Sequence, residues 1–231
     1  MQAIQKRPWN YAAWLWLVPA VAGLWLTVLT VFILPPNRTL HNLLDFGFKV
    51  APLLLAVLTI ALFPQRNHWS RWLLLLGFLF YMGYIDSAYM IQIDRLIEAR
   101  TAGQWQTQFP VFYTFNLFVN TFTILLALFA YRLGGGSAVN VIKLGCAAIL
   151  VMLSGLNDLT MWLMYPWPQG QRPFVFDWAS HVAIFIGRTP NLYHIIGFLA
   201  VHLVLIVLVM LAPLQHLVTR FVKSGYGTDY V

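Results

Sequence analysis

Residues 190–214 read PNLYHIIGFLAVHLVLIVLVMLAPL. The run contains no Asp, Glu, Lys or Arg, and only His194 and His202 can titrate near neutral pH. An α-helix rises about 1.5 Å per residue, so about 20 apolar residues cross the hydrocarbon layer of a bilayer. Proline at its start suits a first helical turn, and Pro213 suits its end. The run predicts a membrane-spanning helix.

Moving outward, five more runs pass the same test: about 11–34 (ended by Pro35-Pro36), 44–63 (ended by Pro64), 72–93, 111–133 and 139–165. Gly134-Gly135-Gly136-Ser137 makes a tight connection between the fourth and fifth. The expected fold is all-α and integral to the membrane. It is a single polytopic domain of six transmembrane helices plus one short interfacial or re-entrant helix at about 174–187. Composition agrees: the chain is 60% hydrophobic and 9% charged, where a soluble domain carries roughly 25% charged residues. Mean hydropathy is +0.72. Ten Trp and ten Tyr suit two membrane–water interfaces. The first apolar run is too long for a signal-peptide core and should stay as a membrane helix.

The net charge of +7 points to cytoplasmic loops and anionic lipid headgroups as partners. No loop clusters basic residues as a nucleic-acid patch does, so no nucleic-acid partner is expected. Cys146 is the only cysteine. It excludes an internal disulfide and any cysteine-based metal cluster. One side of the membrane receives Lys6, Arg7, Arg66, Arg71, Arg132, Lys143, Arg220 and Lys223. The other receives Arg38, Lys49, Arg95, Arg100, Arg172 and Arg188. That bias places both termini in the cytoplasm, in a bacterial inner membrane. Asn37-Arg38-Thr39 is a glycosylation sequon on the outer side, and Gln215–Lys223 a basic tail suited to headgroups.

Ionisable residues inside a membrane helix cost a few kcal/mol each and normally find partners in the bundle interior. Asp86 and Asp158 are such residues. Asn116, Asn120 and Thr123 share one stripe of the fourth helix. With this topology, Asp86, Asn116, Asn120, Asn157 and Asp158 all fall in the outer leaflet, with His194 at the same level and His202 near the midplane. The 166–189 connection is unusual. Its run FVFDWASHVAIFIG places Asp177 and His181 four apart, on one face if helical, yet the run is too short to span. An Asp beside a His can orient and charge the imidazole, or the two can ligate a metal. Asp158, Asp177, His181 and His194 are therefore the candidate catalytic residues. Asp177, His181, His194 and Asn157 are the candidate ligands for Cu, Zn or Fe, with Asp86, Asn116, Asn120 and His202 supporting them. His41, His68 and His216 read as interfacial.

Gly155-Leu156-Asn157-Asp158, followed by His194 at the head of another membrane helix, resembles part of the C subunit of copper membrane monooxygenases, which oxidise methane, ammonia or short hydrocarbons. The resemblance maps one ligand position of that family on Asn157 and another on His194. The position between them holds Met161 rather than His. The fourth helix has no Asp or His for that family's other intramembrane site. The resemblance therefore implies a divergent or inactive relative.

Two functional readings follow. One is a membrane enzyme with a His/carboxylate site, metal-dependent or acid–base, acting on a lipophilic substrate. The other is a non-catalytic subunit, paired with other membrane subunits or a second copy, or a small proton-coupled transporter.

Overall fold

The computed structural model describes residues 14–33, 41–65, 70–165, 167 and 171–214. The sequon, His68, His216, the basic tail and the loop cations Lys6, Arg7, Arg38, Arg66, Arg220 and Lys223 lie outside the described residues. The regular structure of the described chain is helical, in the order α1 (Leu17–Val28), α2 (Leu43–Leu62), α3 (Ser70–Phe80), α4 (Asp86–Thr101), α5 (Trp105–Leu133), α6 (Ala138–Leu153), α7 (Leu156–Met164), α8 (Ser180–Ile186) and α9 (Leu192–Leu211). Short π-helical turns, Leu29–Ile33 and Tyr81–Ile85, extend α1 and join α3 to α4.

Four stretches are long and apolar enough to cross a membrane: Leu43–Leu62, Trp72–Thr101, Thr107–Leu133 and Leu192–Leu211. The pair α6–α7 makes a fifth if its bend is taken within one span. The outward faces carry apolar side chains that only lipid or another apolar surface can cover: Val18 is 70% and Leu211 75% exposed. These features are consistent with an integral membrane protein.

Local chemistry sets the helix ends. The Asn42 side chain caps α2, its oxygen accepting the Asp45 N–H at 2.8 Å. The Asp45 carboxylate lies at the positive end of that helix. Ser137 caps α6 in the same way through Asn140. The run expected as one helix over 139–165 is broken. Ser154 and Gly155 divide it into α6 and α7 with a 44° bend. Gly155 takes φ +75°, a left-handed conformation that glycine adopts without penalty. The Ser154 hydroxyl donates to Val151 O at 2.8 Å and accepts the Leu156 N–H at 3.2 Å, satisfying backbone groups that the break exposes.

Side-chain contacts define two ends of the bundle. At one, the Arg132 guanidinium donates to Phe63 O and Gly136 O, and the Gln65 amide also donates to Gly136 O. Lys143 donates to Met210 O at 2.9 Å, and Trp16 of the turn before α1 packs edge-on against Phe63. The other end holds the 165–191 segment, a folded cap. Phe46 at the start of α2 meets Phe185 of α8 there. Tyr113, near the start of α5, lies against Asn157 of α7, so the α4–α5 turn belongs to this end as well. Midway, Val57, Leu128 and Ile149 join α2, α5 and α6. A Cβ on Gly145 would strike the Val57 side chain, so glycine sets the approach of α6 to α2, as small residues do between membrane helices.

The cap has its own core of Phe176, Ala179, Val182 and Ile195. Val175 pairs antiparallel with Asn191. The Phe176 N–H donates to Pro190 O at 2.9 Å, and the Leu192 N–H to Phe174 O at 3.0 Å. These extended pairings use backbone groups that a helix would need. The helix expected at 174–187 is therefore confined to Ser180–Ile186.

Candidate functional site

The cap brings two of the anticipated residues together. Asp158, in the first turn of α7, is 5% exposed. Its Oδ2 lies 3.4 Å from Nε2 of His181 in α8. Neither atom has a formed hydrogen bond, and both are buried. Trp178 closes the pocket. Its indole N–H acts on the Asp158 carboxyl, at a geometry that also leaves Nε1 without a formed bond. Asp158 Oδ2, His181 Nε2 and Trp178 Nε1 are thus three buried polar atoms with no formed hydrogen bond among the described residues. Such atoms cost free energy unless a relaxed contact, a water or a ligand satisfies them.

Burial, with a smaller contribution from the His202 ring, pushes the His181 imidazole down to about 4. An ionised Asp158 at 3.4 Å would draw it the other way, but loss of hydration dominates in so enclosed a place. The ring is therefore neutral at neutral pH. The His181 side chain keeps 16% of its surface while Nε2 is buried, so its accessible surface belongs to the rest of the ring. One edge faces Asp158 and another faces outward.

The structure separates the remaining candidates. Asp177 is exposed in the turn before α8. The expectation that it shares a helical face with His181 is corrected, because α8 begins only at Ser180. His194 caps α9: Nδ1 accepts the Asn191 N–H at 3.1 Å, while the Asn191 side chain accepts the His194 N–H at 3.1 Å. Its Nε2 lies 2.8 Å from Arg188 Nη2. A neutral imidazole offers only one acceptor nitrogen, so these two donors compete for the ring. Asn157 is exposed beside the Tyr113 hydroxyl.

Among the described residues no three His, Cys, Asp or Glu side chains gather as a metal-binding group. Asp177, His181, His194 and Asn157 are thus not brought together as one ligand set. The side chains of Asp86, Asn116 and Asn120 make no hydrogen bond or ion pair among the described residues. Asp86 is half-buried just after the π turn, and its N–H bonds back to Tyr81 O. His202 is buried in α9, with Phe198 between it and His181.

Sequence reasoning did not find Trp178 or Tyr113. For Trp178 a signal existed, because a buried indole needs a partner for its N–H and this one directly follows Asp177. Compared with protein-family models, curated proteins and solved structures, the chain matches none.

Proposed function

We propose that this is a six-pass protein of the cytoplasmic membrane, with both termini cytoplasmic, and that Asp158 and His181 form an acid–base site for a lipophilic substrate at its outer end. The observation that carries the reading is the buried approach of Asp158 Oδ2 to His181 Nε2 at 3.4 Å, with neither atom in a formed hydrogen bond among the described residues. Counting α1 with its π turn, and α6–α7 as one bent span, supports six passes. The greater number of Lys and Arg on the Arg132–Lys143 side supports that side as cytoplasmic.

The chemistry is a one-proton exchange. With Asp158 ionised and His181 protonated on Nε2, a substrate group at the open edge of the ring can deliver a proton to Nδ1. The Nε2 proton then passes to Asp158, leaving a carboxylic acid facing a neutral imidazole. One proton enters and total charge balances. Running backwards, the pair returns a proton to the substrate. The geometry suits general acid–base work, in which a positioned group contributes about 10²–10⁴-fold.

The test is infrared difference spectroscopy of the purified protein between pH 4 and 9. A single buried carboxyl band should titrate, vanish in Asp158→Asn and shift in His181→Phe. Absence of any band assignable to Asp158 would defeat the acid–base reading. Elemental analysis of the same sample tests the metal-dependent reading.

A second reading, a subunit of a membrane complex, is favoured by Asp86. A half-buried intramembrane carboxyl with no partner among the described residues is suited to a polar group on a neighbouring chain. Co-purification of a second membrane protein, lost in Asp86→Ala, would support it.

A further inference from the structure

A cleft of about 450 Å³ opens between α2, α6, α8 and α9. That volume lies within the usual range for small-molecule sites, roughly 300–1,000 Å³. Its walls include Phe46, Val50, Cys146, Leu150, Phe198 and His202, and among the described residues no acidic, Lys or Arg side chain lines it. An aromatic row runs along it: Phe46 to Phe185 at 5.2 Å, Phe185 to Phe198 at 5.5 Å, and Phe198 to His202 at 4.2 Å between ring centres.

His202 is the polar exception. It is 8% exposed, and its Nδ1 lies 2.9 Å from Phe198 O. A carbonyl oxygen can only accept, so Nδ1 carries the proton. In the neutral ring Nε2 is then left as a lone-pair acceptor. Among the described residues nothing donates to it.

This combination specifies an occupant. The apolar walls suit a hydrocarbon chain. A carboxylate or phosphate head would meet no cation and would lose its hydration uncompensated. A ketone or ether would present an acceptor to an acceptor. Only a neutral donor completes the site.

We propose that the cleft binds a single-chain lipophile bearing a terminal hydroxyl, a long-chain alcohol, whose O–H donates to His202 Nε2 while its chain lies along the aromatic row. Neither His181 nor Asp158 lines the cleft, and Phe198 stands between the head position and His181, so the binding does not rest on the acid–base reading above.

The experiment uses the full chain in nanodiscs and a 1-hexadecanol carrying a chain diazirine, with photolabelled peptides mapped by mass spectrometry. Labelling should fall on α6 and α9 around Cys146 and His202. Unlabelled hexadecanol should compete at least tenfold better than its methyl ether. In His202→Phe that preference should disappear, while a diazirine hexadecane still labels the cleft and reports an intact fold. Leu150→Trp should block labelling by filling the cleft. Equal competition by alcohol and ether in the wild type would overturn the proposal, because the cleft would then hold any hydrocarbon chain. An undiminished preference in His202→Phe, or unchanged labelling in Leu150→Trp, would overturn it as well. Labelling should persist in Asp158→Asn. Loss of labelling there would overturn the proposal, because occupancy of the cleft would then depend on the acid–base pair rather than on His202.

Discussion

The His181 ring makes the molecule's stability depend on pH in a definite direction. Its folded value of about 4 lies below the ordinary value of 6.5, so between those limits the unfolded chain binds the extra proton. Stability contributed by the neutral buried ring is present above pH 6.5 and is lost as pH falls toward 4. The ceiling on that loss is on the order of 3 kcal/mol, and an ionised Asp158 facing the protonated ring reduces it. Melting temperature in detergent should therefore decline on acidification across this window, and His181→Gln should flatten the decline. An unaltered slope in that variant would mean the ring is not the responsible group. The same pocket depends on Gly155 one turn away. Its φ of +75° costs a residue with a Cβ about 1–2 kcal/mol. Gly155→Ala should lower the melting temperature and shift the Asp158 carboxyl band, because the turn it strains aims Asp158. Gly155→Asn should be milder, since Asn tolerates this conformation. Equal effects of Ala and Asn would show that bulk at this position, rather than its backbone angle, is what matters.

At the scale of elements, the contact of α6 with α2 is set by one missing side chain. Any Cβ at Gly145 meets Val57, and overpacking of this kind costs about 1–3 kcal/mol. Gly145→Ala should destabilise the protein, and Val57→Ala in the same chain should recover part of the loss, the coupling expected of touching residues. Simple addition of the two effects would place the contact elsewhere. Helices of this kind were legible in the sequence because Pro35-Pro36, Pro64 and Pro190 punctuate long apolar runs. The break at Ser154–Gly155 was not, because hydropathy stays high across it and neither residue forbids a helix. The cap was misread for a different reason. Asp177 and His181 have helical spacing, but the pairing of Val175 with Asn191, sixteen positions away, holds the chain extended there, and a turn at Asp177 and Trp178 precedes Ser180. The partner His181 does meet, Asp158, lies 23 positions upstream across a connection. No local period encodes such a pairing. His194 looked like a ligand by residue type, and its role in capping α9 was recoverable from Asn191 standing three positions before it.

At the scale of the molecule, the end-to-end contacts fix which loops share a side. The α3–α4 rod spans Trp72–Thr101, 30 residues, or about 45 Å at 1.5 Å per residue. That exceeds the hydrocarbon thickness of about 30 Å, so one end must stand clear of it. The charged turns of α4, with Asp94, Arg95, Glu98 and Arg100 all exposed, are the part that water accepts. Tyr113 beside Asn157 ties this projecting hairpin to the cap that holds Asp158 and His181. Arg132, Gly136 and Lys143 are gathered at the opposite end. In a Cys146→Ala background, Glu98→Cys and Asp177→Cys should both react with a membrane-impermeant maleimide on intact cells. Asn140→Cys should react only after permeabilisation. If all three sides were exchanged, the bundle would stand and only its orientation would reverse, leaving the Lys and Arg bias as the part in error. Reaction of Glu98→Cys and Asp177→Cys from opposite sides is a harsher result. It would require the α5–α7 contact to be broken in the membrane, and with it the enclosed pocket that brings a carboxyl and an imidazole to 3.4 Å.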